Sequence, residues 1–479
     1  MNWETVIGLE VHTELSTKSK IFCGCTTEYG GDPNTHVCPG CAGMPGTLPL
    51  MNRSVVEYAM RLGIVLNCNI AKQCKFDRKS YFYPDLPKAY QVSQLHAPIC
   101  RGGYLEIEVN GNKKKINLTQ IHMEEDAGKL VHSVTGDTFM DNNRGGMPLL
   151  EIVSQPDFRS AVEVIAYLEK LREILLYLEV SDCKMQEGSL RADINLSVRP
   201  VGGELGVRVE MKNLNSFKAI ARAIEYEAAR QIEVLEDGGK LIQETRRWDD
   251  EKGESFGMRS KANAQDYRYF PDPDFLPINI DETWLAAVKE SLPELAHQKR
   301  EKYVRDFGIS ESTAQVLTVH KNISDLFEAI VQKGGAGFVA EAAKEAANLI
   351  TGEVMRLMNN ANILPENVRL DVDKFVTLIN LVTGGKINRN AYKETVEAVF
   401  TTNIDPEEYI AKKGLMMIND DNAVISAVEA VIIEEAASVT EFKSGKEKVF
   451  GFLMGQVMKK LKGQGNPEIA KKVLIEKLA

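Results

Sequence analysis

The stretch Ile121-His122-Met123-Glu124-Glu125-Asp126-Ala127-Gly128-Lys129 places one imidazole beside three consecutive carboxylates. Neighbouring carboxylates repel one another, and a carboxylate buried without a partner either costs several kcal/mol or takes up a proton. Acidic triplets are usually solvated turns, and the alternative is that they surround a cation. The rest of the chain decides between these two interpretations.

The strand that leads into this stretch changes its phase. Apolar residues alternate in one phase up to Leu118 and in the other phase from Ile121 onward. Such a change predicts a β-bulge or a local twist. Alternation alone therefore does not say whether Glu124 or Glu125 faces a cation.

A first strand is predicted between Val6 and Leu15, where apolar and polar residues alternate. Its polar face carries Glu10, His12 and Glu14, because successive side chains of a strand point to opposite faces. A carboxylate and an imidazole two residues apart on one strand face are well placed to share a metal ion.

Two later segments, 191–199 and 207–212, alternate in the same way and predict a hairpin that turns at 200–203. The polar side chains of this hairpin are Arg191, Asp193, Asn195, Arg199, Arg208, Glu210 and Lys212. An ordinary half-exposed sheet carries Thr, Ser, Lys and Gln on its wet face, without this concentration of acids and bases. We therefore expect the polar face to be a functional site.

The residue types on this face indicate the ligand. Carboxylates with an imidazole suit magnesium or manganese better than a soft metal, and arginine and lysine suit phosphate oxygens. The sequence has neither a Walker A loop nor a Rossmann glycine fingerprint. The prediction is a metal–nucleotide site built on a sheet.

The chain has 479 residues, enough for about two to four domains. No apolar run approaches the roughly 18 residues of a membrane span, and the first residues lack the features of a signal peptide. We expect a soluble, cytoplasmic protein that does not bind membranes.

The net charge of −10 argues against a protein coated in basic charge for bulk nucleic-acid binding. Residues 443–479 differ, because they contain nine lysines and three glutamates, a net charge of +6. This end is the predicted place for a polyanion. The lysines assigned to it are Lys443, Lys446, Lys459, Lys460 and Lys462.

Four of the eight cysteines cluster, as Cys23-x-Cys25 and, twelve residues later, Cys38-Pro39-Gly40-Cys41. Two such pairs are typical of tetrahedral thiolate zinc, and the alternative is four reduced thiols in a loop. The remaining cysteines are expected to be small core residues. They are Cys68, Cys74, Cys100 and Cys183.

Strands, hairpins and helices alternate irregularly up to about residue 293, which predicts an α+β fold with a mainly antiparallel sheet. Asn110-Gly111 is a strong hairpin signal. The predicted helices run over 52–66, from Ser160 to about Val180 and from Ser216 to Gly238. From Glu294 strand signals vanish, which predicts a helical domain to about Thr402 and a further helical unit from about Asp405.

Two aromatic tracts stand apart from this pattern. The tract 76–85 mixes arginine and lysine with three aromatic residues ahead of a proline, and it includes Lys79 and Tyr81. Such a tract is either a packed loop or a surface that stacks bases and holds phosphate. The tract 266–271 repeats the pattern.

Taken together, these stretches resemble the B subunits of tRNA-dependent amidotransferases, which convert Glu-tRNA(Gln) to Gln-tRNA(Gln) and in many organisms Asp-tRNA(Asn) to Asn-tRNA(Asn). The resemblance runs from the first strand to the last lysines. The stretches that carry it are 6–12, 76–85, 122–129, 148–154, 188–191, 212–217, 244–247 and 266–271.

The resemblance implies three domains. Residues 1–293 would form a cradle domain similar to glutamine synthetase and guanidino kinases, which bind ATP on a sheet. Residues 294–404 would form a helical domain, and 405–479 a tail similar to the small YqeY proteins that holds tRNA. The zinc site is present in only some members, and here all four cysteines are retained.

The resemblance also assigns roles to single residues. The implied magnesium ligands are Glu10, His12, Glu125 and Glu210, with Glu124 and Asp193 as neighbours. The implied nucleotide and substrate contacts are Lys79, Tyr81, Ser189, Arg191 and Lys212. Arg191 and Lys212 have an alternative role as ion-pair partners of Asp193 and Glu210.

The implied activity is ATP-dependent phosphorylation of the glutamyl or aspartyl side chain on the tRNA, followed by attack of ammonia. The sequence has no Gly-x-Ser-x-Gly elbow, so ammonia is expected from a separate amidase, the A subunit, in a heterotrimer with a small C subunit. Two alternatives are a small-molecule ligase of the glutamine synthetase type and a tRNA-binding scaffold without catalysis.

Overall fold

The computed structural model describes residues 2–260, 267–335, 340–417, 421–446, 448–461 and 465–478. Asp266 and Lys462, which the sequence analysis includes in an aromatic tract and in the basic tail, lie outside the described residues. The chain forms two compact units, Met1–Leu295 and Ala296–Ala479. The residues of the predicted metal–nucleotide site all belong to the first unit.

The strands of the first unit alternate with loops and a few helices. They are β1 (Trp3–Glu14), β2 (Asn69–Ile70), β3 (Gln73–Cys74), β4 (Asp77–Ser80), β5 (Tyr90–Ser93), β6 (Cys100–Arg101), β7 (Tyr104–Val109), β8 (Asn112–Glu125), β9 (Lys129–His132), β10 (Thr138–Asp141), β11 (Pro148–Ser154), β12 (Leu190–Pro200), β13 (Val209–Lys212), β14 (Glu244–Asp249), β15 (Glu254–Ser260), β16 (Phe270–Pro271) and β17 (Ile278–Asn279).

A 10-stranded sheet organises this unit, in the order β15-β14-β13-β12-β1-β11-β8-β6-β2, with β7 also paired to β8. The pair β13–β14 is parallel, and the other described pairs of this sheet are antiparallel. The α+β class and the mainly antiparallel sheet predicted from the sequence are confirmed. So is the hairpin of β12 and β13, in which Ile194 lies opposite Met211.

The two faces of β1 have the predicted character. Ile7, Leu9 and Val11 are buried on the apolar face, whereas Glu10 and His12 are partly exposed on the other. The pairing of β8 with β11 slips by one residue, because Val153 lies opposite Gln120 and Ser154 lies opposite Leu118. This slip is the bulge predicted between Leu118 and Ile121.

The helices are α1 (Arg53–Val65), α2 (Ala161–Tyr177), α3 (Phe217–Glu236), α4 (Glu282–Glu290), α5 (Ala296–Phe307), α6 (Glu311–Thr318), α7 (Lys321–Gly334), α8 (Ala340–Asn348), α9 (Met355–Ala361), α10 (Val372–Thr383), α11 (Arg389–Thr402), α12 (Pro406–Lys413), α13 (Asp421–Glu434), α14 (Ala436–Lys443), α15 (Val449–Lys460) and α16 (Pro467–Leu478). Ser160 and Ser216 cap α2 and α3 by accepting hydrogen bonds from the amides of Glu163 and Ala219. The two helices pack against each other and against β7 and β12.

The aromatic tract 76–85 is anchored by one arginine. Arg78 on β4 pairs with Asp272 at 2.9 Å and with Asp274 at 2.6 Å. Its guanidinium also lies 4.2 Å from the ring centroid of Tyr90. These contacts fasten the tract to the segment 270–274, so Arg78 has a structural role here.

The described part of the second unit is helical and contains two apolar cores. One runs from Tyr303 to Ile410 and the other from Val424 to Leu478. The division at 404/405 stays a prediction, and Ile410 on α12 packs in the first of these cores. Within the described residues of the whole chain, no helix is both long and apolar enough to cross a membrane.

Candidate functional site

Four side chains from three neighbouring strands form a group that we call the imidazole cluster: His12, His122, Glu124 and Glu151. Strand register places His12, Glu151 and His122 side by side on β1, β11 and β8. The Glu151 carboxylate lies 3.3 Å from His12 Nε2 and 3.1 Å from His122 Nε2. Glu124 reaches the same two nitrogens at 3.6 and 3.7 Å.

Protons compensate the negative charge of this cluster. Burial lowers the pKa of His12, but the carboxylates of Glu151 and Glu124 outweigh it and raise the pKa to about 9. The same balance raises the pKa of His122 to about 10. The two rings hold the pKa of Glu151 well below its usual range despite its burial. A divalent cation could take the place of these protons at His12, Glu124 and Glu151, whose ligand atoms lie within 4.8 Å of one another.

A second group, the carboxylate cluster, consists of Glu10, Asp193 and Glu210. One oxygen from each lies within 4.8 Å of the others. Glu10 and Asp193 are register neighbours on β1 and β12, and Glu210 reaches them from β13. Two neutral groups hold the carboxylates in place: Asn195 donates to Glu10 Oε1 at 2.9 Å, and Thr245 donates to Glu210 Oε2 at 2.8 Å.

Lys212 supplies the positive charge at the carboxylate cluster. Its Nζ donates a hydrogen bond to Asp193 and lies 3.4 Å from Glu210 Oε1. Burial lowers the pKa of Lys212, but the charges of Asp193 and Glu210 outweigh it and raise the pKa. The side chain is 41% exposed, so solvent reaches the group that compensates this cluster. The structure thus pairs Lys212 with Asp193 and Glu210, the ion-pair partners that the sequence analysis gave as its alternative role.

Arg191 takes a different partner from the one expected. Its guanidinium bonds Asp126 at 2.7 Å, rather than Asp193 or Glu210. Asp126 also accepts a longer contact from Arg144 at 3.6 Å. Burial and the neighbouring Asp126 raise the pKa of Glu14 to about 8. Neither Asp126 nor Glu14 was given a role from the sequence.

Glu125 does not join either cluster. Residues 121, 123 and 125 of β8 have one parity after the bulge, and His122 and Glu124 have the other. Glu125 accepts hydrogen bonds from Lys88 at 2.5 Å and from the amide of Val92 at 2.9 Å. The sequence grouped Glu125 with Glu10, His12 and Glu210, and the structure brings Glu124 to His12 instead.

The aromatic tracts lie next to the imidazole cluster. Lys79 Nζ stands 5.0 Å from the ring centroid of Tyr267 and 5.8 Å from that of Tyr81. Burial and the charges of Glu124 and Glu151 raise the pKa of Tyr269. Lys79 thus contacts both aromatic tracts, and the nucleotide contact predicted for Lys79 and Tyr81 stays a prediction.

Ser189 has a local role in the structure. Its hydroxyl donates to Asp182 and accepts from the amide of Lys184 at 2.7 Å. These bonds shape the loop before β12, and they occupy the hydroxyl that the sequence assigned to substrate. The structure does not bring Ser189 into either cluster.

The four clustered cysteines meet at one point, which we call the thiolate site. The Sγ atoms of Cys23, Cys25, Cys38 and Cys41 lie within 4.8 Å of one another. The Cys23 thiol donates a hydrogen bond to Cys41 and, despite burial, lowers the pKa of Cys41 to about 4. The Cys38 amide also donates to Cys41 Sγ, at 3.2 Å. This cluster could bind zinc, because four thiolates in such proximity fit tetrahedral coordination.

Two family models match the chain. One, described as the GatB/GatE catalytic domain, matches residues 5–286, and the other, described as a GatB domain, matches residues 325–478. The chain belongs to the family of aspartyl/glutamyl-tRNA(Asn/Gln) amidotransferase B subunits. The imidazole and carboxylate clusters both fall inside the region matched by the catalytic domain of this family.

Relatives of this name match over the whole chain. The B subunit of Lachnoclostridium phytofermentans is 58% identical over 479 residues, which cover 100% of this chain and 99% of the relative. The B subunit of Caldicellulosiruptor bescii is 53% identical over 483 residues, with 100% and 99% coverage. That of Thermoanaerobacter sp. (strain X514) is 51% identical over 480 residues, with 100% coverage of both.

Two members of the imidazole cluster, His122 and Glu151, were not chosen as site residues from the sequence. His122 belongs to the acidic stretch, but its ring points to the cluster only once the bulge fixes the parity of β8. Glu151 is a lone acid in the apolar run 148–154. A lone acid within a buried strand was the available signal, since such a charge needs a partner.

The tail lysines lie on separate elements. Lys443 is the last residue of α14, and Lys459 and Lys460 end α15. Lys460 pairs with Glu434, and Lys446 lies 3.3 Å from Glu441. Their role toward tRNA stays a prediction.

Proposed function

We propose that this chain activates and amidates the glutamyl or aspartyl side chain carried by a misacylated tRNA. Its reaction is that of an ATP-dependent carbon–nitrogen ligase with glutamine as the amide donor. The substrates are Glu-tRNA(Gln) or Asp-tRNA(Asn), ATP and ammonia. The observation that carries the proposal is the pair of clusters on one sheet face, within a region matched by the family's catalytic domain.

Both clusters fit divalent cations. Their carboxylates are compensated in the structure by imidazole protons and by the Lys212 ammonium, and these are charges that a cation can replace. The imidazole cluster would hold one ion through His12, Glu124 and Glu151, and the carboxylate cluster another through Glu10, Asp193 and Glu210. When bound, magnesium neutralises phosphate charge and helps to fix in-line geometry for phosphoryl transfer.

The cationic side chains would act on the transferred group. In the first step a side-chain carboxylate oxygen of the aminoacyl-tRNA bonds to the γ-phosphorus of ATP, and ADP leaves. In the second step ammonia attacks the acyl carbon, and phosphate leaves. Lys212, turned from its carboxylates, would donate to phosphate oxygens, and Arg191, held by Asp126, would face the developing charge.

Other parts of the molecule would serve the same reaction. Zinc in the thiolate site would fix the loop 23–41, and a cradle similar to glutamine synthetase would position ATP on the sheet. A helical domain (294–404) and a tail (405–479) would hold the tRNA. Ammonia would come from the amidase, or A subunit, in a heterotrimer with the small C subunit, and work on aminoacylated tRNA would place the protein in the cytoplasm.

The proposal is tested by ADP release from the chain co-expressed with its A and C partners, on addition of ATP and magnesium. Misacylated Glu-tRNA(Gln) should stimulate release, whereas uncharged tRNA and free glutamate should not. The variant Glu10→Gln should abolish the stimulation. The matched control Glu108→Gln changes an exposed carboxylate of β7 and should retain it.

Other outcomes would favour other functions. Equal stimulation by free glutamate would favour a small-molecule ligase. Undiminished activity of Glu10→Gln, with tRNA binding retained, would remove the clusters from the reaction and favour a scaffold.

A further inference from the structure

Lys20 is a fully buried lysine, with 0% of its surface exposed. Taking an ammonium out of water is costly unless charges and hydrogen bonds replace its hydration. In the part of the chain that the structure describes, no carboxylate pairs with Lys20. Its Nζ instead donates to the carbonyls of Gly145 at 2.7 Å and Asn142 at 3.2 Å, and to Cys41 Sγ at 3.9 Å.

The negative partner of Lys20 is therefore the thiolate site. Four thiolates around one zinc ion carry a net charge of about −2, and Lys20 is the buried cation next to them. The Cys38 amide donates to the same sulfur at 3.2 Å. Hydrogen bonds to ligating atoms of this kind orient the ligands and tune the metal.

The carbonyl partners of Lys20 belong to the loop 140–146, which we call the asparagine loop. The segment between the two cysteine pairs is bonded to this loop as well. Asn34 donates to the Met140 carbonyl at 2.9 Å, and the His36 amide donates to Asn143 at 2.8 Å. The asparagine loop is thus held between the cysteine loop and Lys20.

The asparagine loop leads directly to the acidic stretch of the site. The amide of Gly146 donates to the Asp126 carbonyl at 2.9 Å, and the amide of Asp126 donates to Met147 at 2.8 Å. Asp126 in turn holds Arg191 at 2.7 Å. A continuous set of bonds therefore runs from Cys41 through Lys20 and Gly146 to Arg191.

We propose that Lys20 is a positioning residue that couples the thiolate site to the asparagine loop, and so fixes Asp126 and Arg191 for the reaction. It does this by compensating thiolate charge with the same ammonium that binds the loop carbonyls. The inference rests on the proposed function in that it requires zinc in the thiolate site. It predicts that loss of this charge weakens zinc binding and loosens the asparagine loop together.

The test compares wild type, Lys20→Met and Lys18→Met as the heterotrimer. Lys18 is exposed two residues away, so its variant controls for lost charge. Transfer of zinc to a chromogenic chelator should be at least about 10-fold faster in Lys20→Met than in the other two proteins. Hydrogen exchange of residues 142–147 should rise in Lys20→Met, while exchange in β12 should not change.

A spectroscopic readout separates coupling from a packing role. In cobalt-substituted protein, removal of the ammonium raises the energy of the thiolate lone pairs. The thiolate-to-cobalt charge-transfer band should therefore move to longer wavelength in Lys20→Met and stay in place in Lys18→Met. A role limited to packing would leave the band of both variants unchanged.

Several outcomes would overturn the inference. Equal zinc release and equal exchange in all three proteins would do so while leaving the proposed reaction intact. Absence of zinc from active wild-type protein would overturn the zinc assignment and the inference together. If Lys20→Met does not fold, zinc-loaded and zinc-stripped wild type are compared instead. Unchanged exchange of residues 142–147 on stripping would then refute the coupling.

Discussion

The thiolate site and the two sheet clusters compensate negative charge in different ways. In the thiolate site the compensating groups are fixed: the buried Lys20 ammonium and the Cys38 amide both donate to Cys41 Sγ. The charge of the sheet clusters is compensated by the protons of His12 and His122 and by the partly exposed Lys212, groups that a bound cation can displace. The first arrangement suits an ion that stays, and the second suits ions that come and go with the nucleotide.

Removal of metal ions should give the largest difference between the thiolate site and the sheet clusters. Brief treatment with EDTA followed by buffer exchange should abolish ADP release, and added magnesium should restore it. Zinc measured by atomic absorption should remain at about one equivalent during this brief treatment, because a closed site of four thiolates should release its ion more slowly than an open carboxylate site releases magnesium. Loss of zinc in step with activity would show that the two sites do not differ in the way their charges suggest.

The variant Lys212→Met should separate two roles of Lys212, as a donor to phosphate and as the ammonium that compensates the carboxylate cluster. The kcat/KM for ATP should fall about 100-fold, because a donor to phosphate is lost. The affinity for Mn²⁺ without nucleotide, measured by electron paramagnetic resonance, should instead rise, because the ammonium no longer competes at Asp193 and Glu210. A fall in both quantities would mean that Lys212 supports the cluster rather than standing in for a metal ion.

The neighbours Glu124 and Glu125 test which face of β8 belongs to the site. Glu124→Gln should weaken Mn²⁺ binding about 30-fold, since it removes a ligand of the imidazole cluster. Glu125→Gln should change it less than about 2-fold, because Glu125 bonds Lys88 and Val92 on the opposite side. Calorimetric titration of both variants with Mn²⁺ measures the two affinities. An equal loss of affinity in both would contradict the assignment of Glu124 and Glu125 to opposite faces of β8.

The smallest expected effect concerns a carboxylate with a structural role. The buried Asp77 accepts the amides of Leu95 at 2.8 Å and His96 at 3.0 Å. Burial raises the pKa of Asp77, but the amides and the ring of His96 outweigh it and hold the pKa below 3.8. Stability from Asp77 is therefore present above pH 3.8 and is lost as the pH falls through the folded-state pKa.

Asp77→Asn should accordingly cost about 2 kcal/mol of unfolding free energy at pH 7. The difference from wild type should shrink below the pKa of a free aspartate. Urea unfolding at both pH values measures it, and Mn²⁺ binding should stay unchanged. A difference that persists in acid would mean that packing, rather than charge, explains the loss.

How well each site could be predicted from the sequence depends on how far apart its residues lie in the chain. The thiolate site uses one stretch, 23–41, so spacing alone suggested the full set of ligands. The polar faces of β1, β12 and β13 were predicted because alternation is local. The partners across strands were not, because register depends on pairing between distant segments. For this reason Glu151 was not chosen, and the sequence did not show that Glu124 lies beside His12.

The basic tail and Ser189 show a second limit. Charge alone suggested that residues 443–479 meet a polyanion, and this stays a prediction. Ser189 matched a family motif, yet its hydroxyl is taken by Asp182 and Lys184. A motif match gives the identity of a residue without its hydrogen-bond partners.

The bulge in β8 also limits how this part of the gene can change. Thr119 is the extra residue opposite the slip between Val153 and Ser154, and it takes up the change of apolar phase between Leu118 and Ile121. Deleting the Thr119 codon would remove the slip and leave both faces unchanged, because Leu118 and Gln120 already pair with neighbouring residues of β11. Deleting a codon between Ile121 and Glu124 would instead turn the residues on one side of the deletion to the opposite face. A one-residue change of length should therefore be tolerated at the bulge and selected against between Ile121 and Glu124.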